Sequence, residues 1–179
     1  MNKNRLTARI AFLGVLTALA FVMGYLESLI PSFTGIPGVK AGFANIVTMI
    51  SLFLTDTPDR AHPSVSALVN TLIISVVRVL LGGITYNGMS AMLYGLAGAI
   101  LSIAVMYLLA RSGKFSITAV SVAGAVSHNI GQTLLAVLML GNAVIYYLPM
   151  LIISGLVSGI IIGIIAGLLL RRLQHTVIH

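Results

Sequence analysis

Residues 115–140 read FSITAVSVAGAVSHNIGQTLLAVLML, an apolar run that is interrupted by the polar stretch SHNIGQ at 127–132. A transmembrane helix needs about 20 predominantly apolar residues. The segment is long enough to cross a bilayer, yet it carries a histidine, an asparagine and a glutamine near its middle. Polar residues inside a membrane span are costly and commonly mark functional sites. The segment therefore predicts both a membrane fold and a polar site within it.

The composition extends the membrane prediction to the whole chain. Of the 179 residues, 59% are hydrophobic and 7% are charged, and the mean hydropathy is +1.11. Soluble globular domains carry about 25% charged residues. The formal charge of +7 comes mainly from basic residues at the ends of apolar segments, which is typical of membrane topology and argues against a nucleic-acid partner. The absence of cysteine excludes disulfides, thiol catalysis and cysteine-based metal sites.

Six apolar segments predict an all-α integral membrane protein with a single transmembrane domain over residues 1–179. Only helices and closed barrels satisfy the backbone in lipid, and the sequence has no alternating barrel pattern. The predicted spans are 10–30, 38–54, 64–81, 89–110, 116–140 and 143–170. The second is short, and the last contains Pro149, so we expect it to begin with an interfacial or kinked stretch. The start MNKNRLTAR is like a secretory signal, but the apolar run continues to Ile30, which favours an uncleaved span.

The basic residues predict the orientation, because cytoplasmic loops carry an excess of lysine and arginine. If the N-terminus is cytoplasmic, Lys40 and Arg78 lie near the outer side. The other basic residues then collect on the inner side: Lys3, Arg5, Arg9, Arg60, Arg111, Lys114, Arg171 and Arg172. We therefore expect both termini on the cytoplasmic side of the plasma membrane.

Polar residues from four predicted spans share the outer half of the bilayer. They are Glu27, Lys40, Asn45, Arg78, His128, Asn129 and Gln132. Their convergence favours a ligand pocket that is open to the outside. One acid, two bases and several amides suit a small polar or zwitterionic molecule. Tyr25, Tyr86 and Tyr94 are candidates for stacking on a ring of the ligand, or equally for interfacial anchors.

These polar residues also have structural interpretations. Lys40 and Arg78 can snorkel to the headgroups, and Glu27 can form a structural ion pair with one of them. His128 and its two amide neighbours can hydrogen-bond between helices. Each interpretation accounts for single residues, whereas the shared depth of all seven favours the pocket.

Small residues recur at intervals of four in the first and last spans. The last span reads GLVSGIIIGIIAG over 155–167, and the first pairs Gly14 with Ala18 and Ala20 with Gly24. Such faces allow helix backbones to approach closely. For the last span the pattern favours packing inside the bundle. For the first span a contact with another protein is a serious rival.

Enzyme chemistry has little support in the sequence. The chain has three carboxylate residues, and the two that stand close together, Asp56 and Asp59, fall on the opposite side from the polar cluster. Magnesium-dependent diphosphate chemistry needs several converging carboxylates. The phosphate-binding motif GxxxxGK and histidine pairs with metal-ligand spacing are absent. The sequence therefore predicts no catalytic residue, cofactor or metal site, and active transport would need a partner with an ATPase.

Five motifs together resemble a known membrane family: YLESLIP, PGVKAGFANIVTM, VVRVLLGG, LYGLAGAILS and VSVAGAVSHNIGQTLLA. The family is labelled Gx transporter or heptaprenyl diphosphate synthase component I, and it is similar to the substrate-binding S components of energy-coupling factor (ECF) transporters. The resemblance implies a six-helix S-component fold that captures a vitamin-like molecule from outside. It also implies a transmembrane coupling protein and two cytoplasmic ATPases as partners.

The resemblance assigns roles to residues that stand in the matching motifs. The seven polar residues of the outer half become substrate-binding candidates. Small residues of the first helix, here Ala11, Gly14 and Ala18, become candidates for contact with the coupling protein. Two other functions stay open: a non-catalytic accessory subunit of a prenyl diphosphate synthase, and a scaffold subunit of a membrane redox complex.

Overall fold

The computed structural model describes residues 3–29, 42–54 and 63–176, and every regular element in these ranges is helical. Six α-helices follow one another: α1 (Lys3–Leu29), α2 (Phe43–Leu54), α3 (Val65–Gly82), α4 (Met89–Arg111), α5 (Ile117–Leu140) and α6 (Leu148–Thr176). A π-helical segment, Gly83–Asn87, follows α3, and a 3-10 segment, Asn142–Tyr147, precedes α6. The prediction of an all-α protein with six helices is confirmed.

Within the described ranges, five helices are long and apolar enough to cross a membrane, and α2 is shorter than these. The 12 residues of α2 extend over about 18 Å at 1.5 Å per residue. The hydrocarbon core of a bilayer is about 30 Å thick. In the described part of the predicted second span, 38–54, the helix begins at Phe43, and residues 38–41 lie outside the described ranges. The chain is a multi-pass membrane protein in which one helix is too short to span alone.

Capping residues and glycines set several helix ends. Ser64 and Ser116 precede α3 and α5, and their hydroxyls accept hydrogen bonds from the backbone N–H groups of Ala67 and Ala119 at 3.1 and 3.2 Å. Gly141 ends α5 with a φ of 91°, a conformation that glycine adopts without steric cost. Pro149 lies in the first turn of α6, where its missing N–H breaks no helical bond. The irregular start predicted for the last span is the 3-10 segment.

The α2 helix is enclosed by other helices. Met49 and Leu52 are almost fully buried in a cluster with residues of α4, α5 and α6, and Val47 packs with Leu16 of α1 and Ile74 of α3. Two buried hydroxyl pairs join α2 to α3. The Thr48 and Ser75 hydroxyls are 3.4 Å apart, and the Thr71 hydroxyl donates to Ser51 Oγ at 3.0 Å. Polar pairs of this kind hold helices together in membranes.

Glycines bring α4, α5 and α6 into close contact. A methyl group at Gly159 or Gly163 of α6 would lie 2.7 Å from the Cα of Val122 or Thr118 in α5. A methyl group at Gly131 of α5 would lie 2.8 Å from the Ala97 carbonyl oxygen in α4. The bundle packing predicted for the α6 stripe is confirmed at these positions. At Gly167 the structure differs, since no described atom lies within 4 Å of such a methyl group.

Helices α1 and α3 run in the same direction, so their C-terminal ends lie on one side of the bundle. Arg9, near the start of α1, donates a hydrogen bond to Asn70 Oδ1 near the start of α3 at 3.0 Å. The Tyr86 hydroxyl, just beyond α3, lies against Gly24 near the end of α1. These contacts make α1 and α3 parallel. Glu27 and Arg78 therefore lie at the same end of the bundle, which we call the Glu27 end.

Candidate functional site

A cavity of about 80 Å³ lies at the Glu27 end. We call it the Arg78 cavity, and it is lined by Glu27, Gly42, Ala44, Asn45, Arg78, Ala125, His128, Asn129, Gln132, Ser154 and Ser158. Six of the seven residues predicted from the sequence therefore surround one space, and the seventh, Lys40, lies outside the described residues. A polar cavity of this size holds several waters or the polar head of a ligand. The role of these residues in binding stays a prediction.

The cavity contains one carboxylate and one guanidinium among its described residues. Glu27 is 7% exposed, and its Oε1 accepts a hydrogen bond from the Gly42 backbone N–H. Arg78 interacts electrostatically with Glu27 and with the Tyr86 phenol. Opposite charges in one site reduce the cost of burying both. The structural interpretation of Glu27 as the counter-charge of Arg78 thus agrees with its position. It does not supply an acceptor for the Arg78 Nε donor.

The Arg78 Nε atom is buried and has no hydrogen-bond partner among the described residues. Buried polar groups in native proteins are nearly always paired. An unpaired buried donor costs about 1–3 kcal/mol. A side chain that lines the cavity thus has one N–H without an acceptor among the described residues.

One turn of α5 supplies His128 and Gln132 to the cavity. Their Nε2 atoms are 2.9 Å apart. When the Gln132 amide donates, His128 Nε2 accepts, so the imidazole is neutral with its proton on Nδ1. Gly98 of α4 makes room for this pair, because a methyl group there would lie 2.9 Å from both His128 Cε1 and Gln132 Cγ. The small residue on α4 therefore fixes where the polar pair of α5 can lie.

Asn129 has a structural contact as well as a place in the cavity wall. Its Nδ2 donates to the Leu151 carbonyl oxygen in α6 at 2.6 Å. The interpretation of this residue as an interhelical hydrogen bonder is confirmed. Asn45 lies in the first turn of α2, and its backbone N–H donates to the Gly42 carbonyl oxygen at 2.8 Å.

Sequence reasoning missed the contribution of α6 and the position of Tyr86. Ser154 and Ser158 line the cavity, and their spacing of four residues beside the glycine stripe was the available signal. The Tyr86 ring centroid lies 5.6 Å from those of Phe21 and Tyr25. Its hydroxyl occupies the space left by Gly24 and Gly82. Tyr86 therefore fills the α1–α3 contact beside the cavity.

The small residues proposed for a coupling contact lie on the outer surface of α1. Ala11, Gly14 and Ala18 are exposed, and no described atom lies within 4 Å of a methyl group built at Gly14. Contact of this face with a coupling protein stays a prediction. In the part of the chain that the structure describes, no group of three histidine, aspartate or glutamate residues is arranged to hold a metal ion.

The fold and the cavity define a class, a multi-pass helical membrane protein with a polar cavity at one end of its bundle. Residues 16–169 match the family model of heptaprenyl diphosphate synthase component I, and the chain belongs to that family. The family resemblance found in the motifs is thereby confirmed. Searches of curated proteins and of solved structures find no match to this chain.

Proposed function

We propose that this chain is a non-catalytic membrane subunit that binds a small molecule in the Arg78 cavity and acts with a partner protein. One observation carries the proposal. Arg78 Nε is buried without a hydrogen-bond partner among the described residues, in a cavity that also contains Glu27 and His128. An acceptor group on the ligand satisfies that donor.

The partner is a prenyl diphosphate synthase subunit. The family name describes one component of a synthase, which supports a complex in which another component performs the catalysis. The chain has three carboxylate residues in all, whereas magnesium-dependent diphosphate chemistry relies on several that converge. In this setting the ligand of the cavity is a prenyl diphosphate whose anionic head contacts Arg78.

A second candidate is the substrate-binding subunit of an ECF importer. The exposed stripe of Ala11, Gly14 and Ala18 favours it, because it is a face on which a coupling protein can approach closely. Glu27 favours it too, since a carboxylate repels a diphosphate but suits a zwitterionic vitamin-like molecule. In this case the partners are a transmembrane coupling protein and two cytoplasmic ATPases.

Co-purification from native membranes separates the two candidates. The tagged chain is extracted in mild detergent, and the bound proteins are identified by mass spectrometry. A soluble prenyl synthase supports the first candidate, and a coupling protein with two ATPases supports the second. Recovery of redox subunits instead would contradict both.

Arg78 tests the cavity itself, with inorganic diphosphate as the probe. Arg78→Ala is expected to lose about 2–5 kcal/mol of binding free energy, as when one partner of a buried charge pair is removed. Arg78→Lys should fall in between, because it keeps the charge but loses the planar fork. Lys114→Ala, an exposed position beyond α4, is the charge-matched control and should bind as the wild type does. Unchanged affinity in folded Arg78→Ala protein would remove Arg78 from the site.

Glu27 separates the candidate ligands by sign. Glu27→Gln removes a negative charge but keeps the shape and an acceptor oxygen for the Gly42 N–H. Diphosphate should bind more tightly to this variant, because repulsion between like charges is lost. A zwitterionic ligand should bind more weakly, because its cationic group loses the carboxylate. Titration calorimetry with diphosphate measures the first outcome, and weaker diphosphate binding would contradict the prenyl synthase proposal.

A further inference from the structure

A second cavity of about 610 Å³ lies beside the Arg78 cavity, where α4 and α5 meet the 3-10 segment and the start of α6. We call it the apolar cavity. Its floor includes Thr133, Ala136 and Leu151, which are buried, and its rim includes Ala91, Leu140 and Tyr147, which are exposed. Pockets for small molecules commonly have about 300–1,000 Å³ and mostly apolar walls. The size and lining suit a hydrocarbon chain that enters from the rim.

The two cavities share a wall. Gln132 lines both of them. Asn129 lines the Arg78 cavity, Leu151 lines the apolar cavity, and the Asn129 side chain donates to the Leu151 carbonyl oxygen at 2.6 Å. One amide and one interhelical hydrogen bond thus separate a charged space from an apolar one.

We infer that the two cavities form one binding site for an amphiphile, with the polar head in the Arg78 cavity and the apolar chain in the apolar cavity. This inference rests on the proposed function, since it adds a hydrocarbon chain to the ligand that is proposed for the Arg78 cavity. The apolar cavity alone would accept an acyl chain of any membrane lipid. Its position against the Arg78 cavity, with Gln132 in the wall that the two share, favours instead the hydrocarbon chain of the molecule whose head Arg78 binds.

The hydrocarbon chain of the ligand should add affinity that the polar head alone does not supply. Burial of hydrocarbon against Ala136, Leu140 and Leu151 is favourable for each methylene that leaves water. At the junction, the Gln132 amide can donate to the head and pack its methylenes against the chain. The site therefore distinguishes an amphiphile from a free polar head, and the distinction can be measured.

Farnesyl diphosphate and inorganic diphosphate are the probes, measured on the purified chain in nanodiscs with empty nanodiscs as background. Wild-type protein should bind farnesyl diphosphate at least about tenfold more tightly than diphosphate. Ala136→Phe fills the floor of the apolar cavity and should bring the two affinities together without changing that for diphosphate. Ala91→Phe, on the exposed rim, is a second obstructing variant that leaves the buried floor intact. Leu138→Phe is the matched control, because Leu138 lies on α5 like Ala136 but is 82% exposed.

The outcomes separate this inference from the proposed function. Equal affinity of wild-type protein for both probes, with loss of binding in Arg78→Ala, would show that the apolar cavity does not bind the hydrocarbon chain. The Arg78 cavity would still be the site of the polar head. If both Ala136→Phe and Ala91→Phe still bind farnesyl diphosphate more tightly than diphosphate, the hydrocarbon chain lies outside the apolar cavity, in lipid or on the protein surface. If wild-type protein binds neither probe, a prenyl diphosphate is wrong for both cavities.

Discussion

Gly159 in α6 and Gly14 in α1 stand in similar patterns of small residues, but their surroundings are opposite. A methyl group at Gly159 would collide with the Val122 backbone, whereas one at Gly14 would meet no described atom within 4 Å. The spacing of small residues tells where a backbone can approach closely. It does not tell whether the approaching helix belongs to the same chain. Substitutions at both kinds of position can test this difference through the free energy of unfolding and through binding.

The largest expected effect is at the α5–α6 contact. Gly159→Ala places a methyl group 2.7 Å from Val122 Cα, and a backbone atom cannot move aside without separating the helices. We expect a loss of about 1–3 kcal/mol in the free energy of unfolding. Equilibrium unfolding in mixed detergent micelles measures it, with Gly167→Ala on the same helix as the control. Equal stability of the two variants would contradict the packing described for α6.

A smaller effect is expected at the α4–α5 contact, where packing and site meet. Gly98→Ala places a methyl group 2.8 Å from the His128 carbonyl oxygen and 2.9 Å from Gln132 Cγ. We expect a loss of about 1 kcal/mol, because movement of the His128 and Gln132 side chains relieves two of the three overlaps and leaves only the one with the carbonyl oxygen. The same movement displaces His128 and Gln132, so diphosphate binding should weaken. Gly95→Ala, whose nearest neighbour is the Val79 side chain at 3.1 Å, is the control for stability without the site.

The polar contacts of α2 should have a weaker effect than the glycine contacts. Thr71→Val and Ser51→Ala each remove one member of the buried hydroxyl pair. A double-mutant cycle should give a coupling free energy of about 0.6 kcal/mol, below about 1.7 kcal/mol, as for other hydrogen bonds between membrane helices. A coupling free energy near zero would mean that the Thr71–Ser51 pair does not help to hold α2 against α3.

The smallest effect on the isolated chain is expected at Gly14. Gly14→Leu should not lower the free energy of unfolding, because no described atom lies within 4 Å of a methyl group at this position and leucine is more favourable than glycine in a helix. If the α1 face docks on a partner, the same variant should lose co-purification, whereas Ile160→Leu on the exposed surface of α6 should keep it. Full co-purification with Gly14→Leu would rule out this face as the docking surface.

The level of a residue along the bundle could be predicted from the sequence more reliably than helix rotation. Span ends and basic loops placed Glu27, Arg78 and Gln132 at one depth, and the structure brings these residues to one cavity. Depth follows from counting along each segment. Rotation depends on contacts between helices, so the serines of α6 were missed although they stand at the same depth.

Tyr86 shows a second limit of the sequence. Two consecutive glycines at 82–83 predict the end of a span at Leu81, because glycine is unfavourable in helices. In the structure the helix continues as a π-helical segment, and the missing side chain of Gly82 leaves room for the Tyr86 hydroxyl. The apolar cavity was beyond prediction for another reason. Its alanines and leucines have the same composition whether they pack together or surround a space.

The shortness of α2 bears on where the Arg78 cavity lies along the described helices. Phe53 at the far end of α2 packs with Tyr107 and Ala110 near the end of α4, so α2 is level with the bundle at that side. The missing length, about 12 Å of a hydrocarbon core about 30 Å thick, therefore falls at the Glu27 end. Non-helical backbone is tolerated at that depth when it lines a cavity, as Gly42 does beside Glu27. Helix α5 continues from Gln132 to Leu140, so the charged site lies about two turns below the end of that helix.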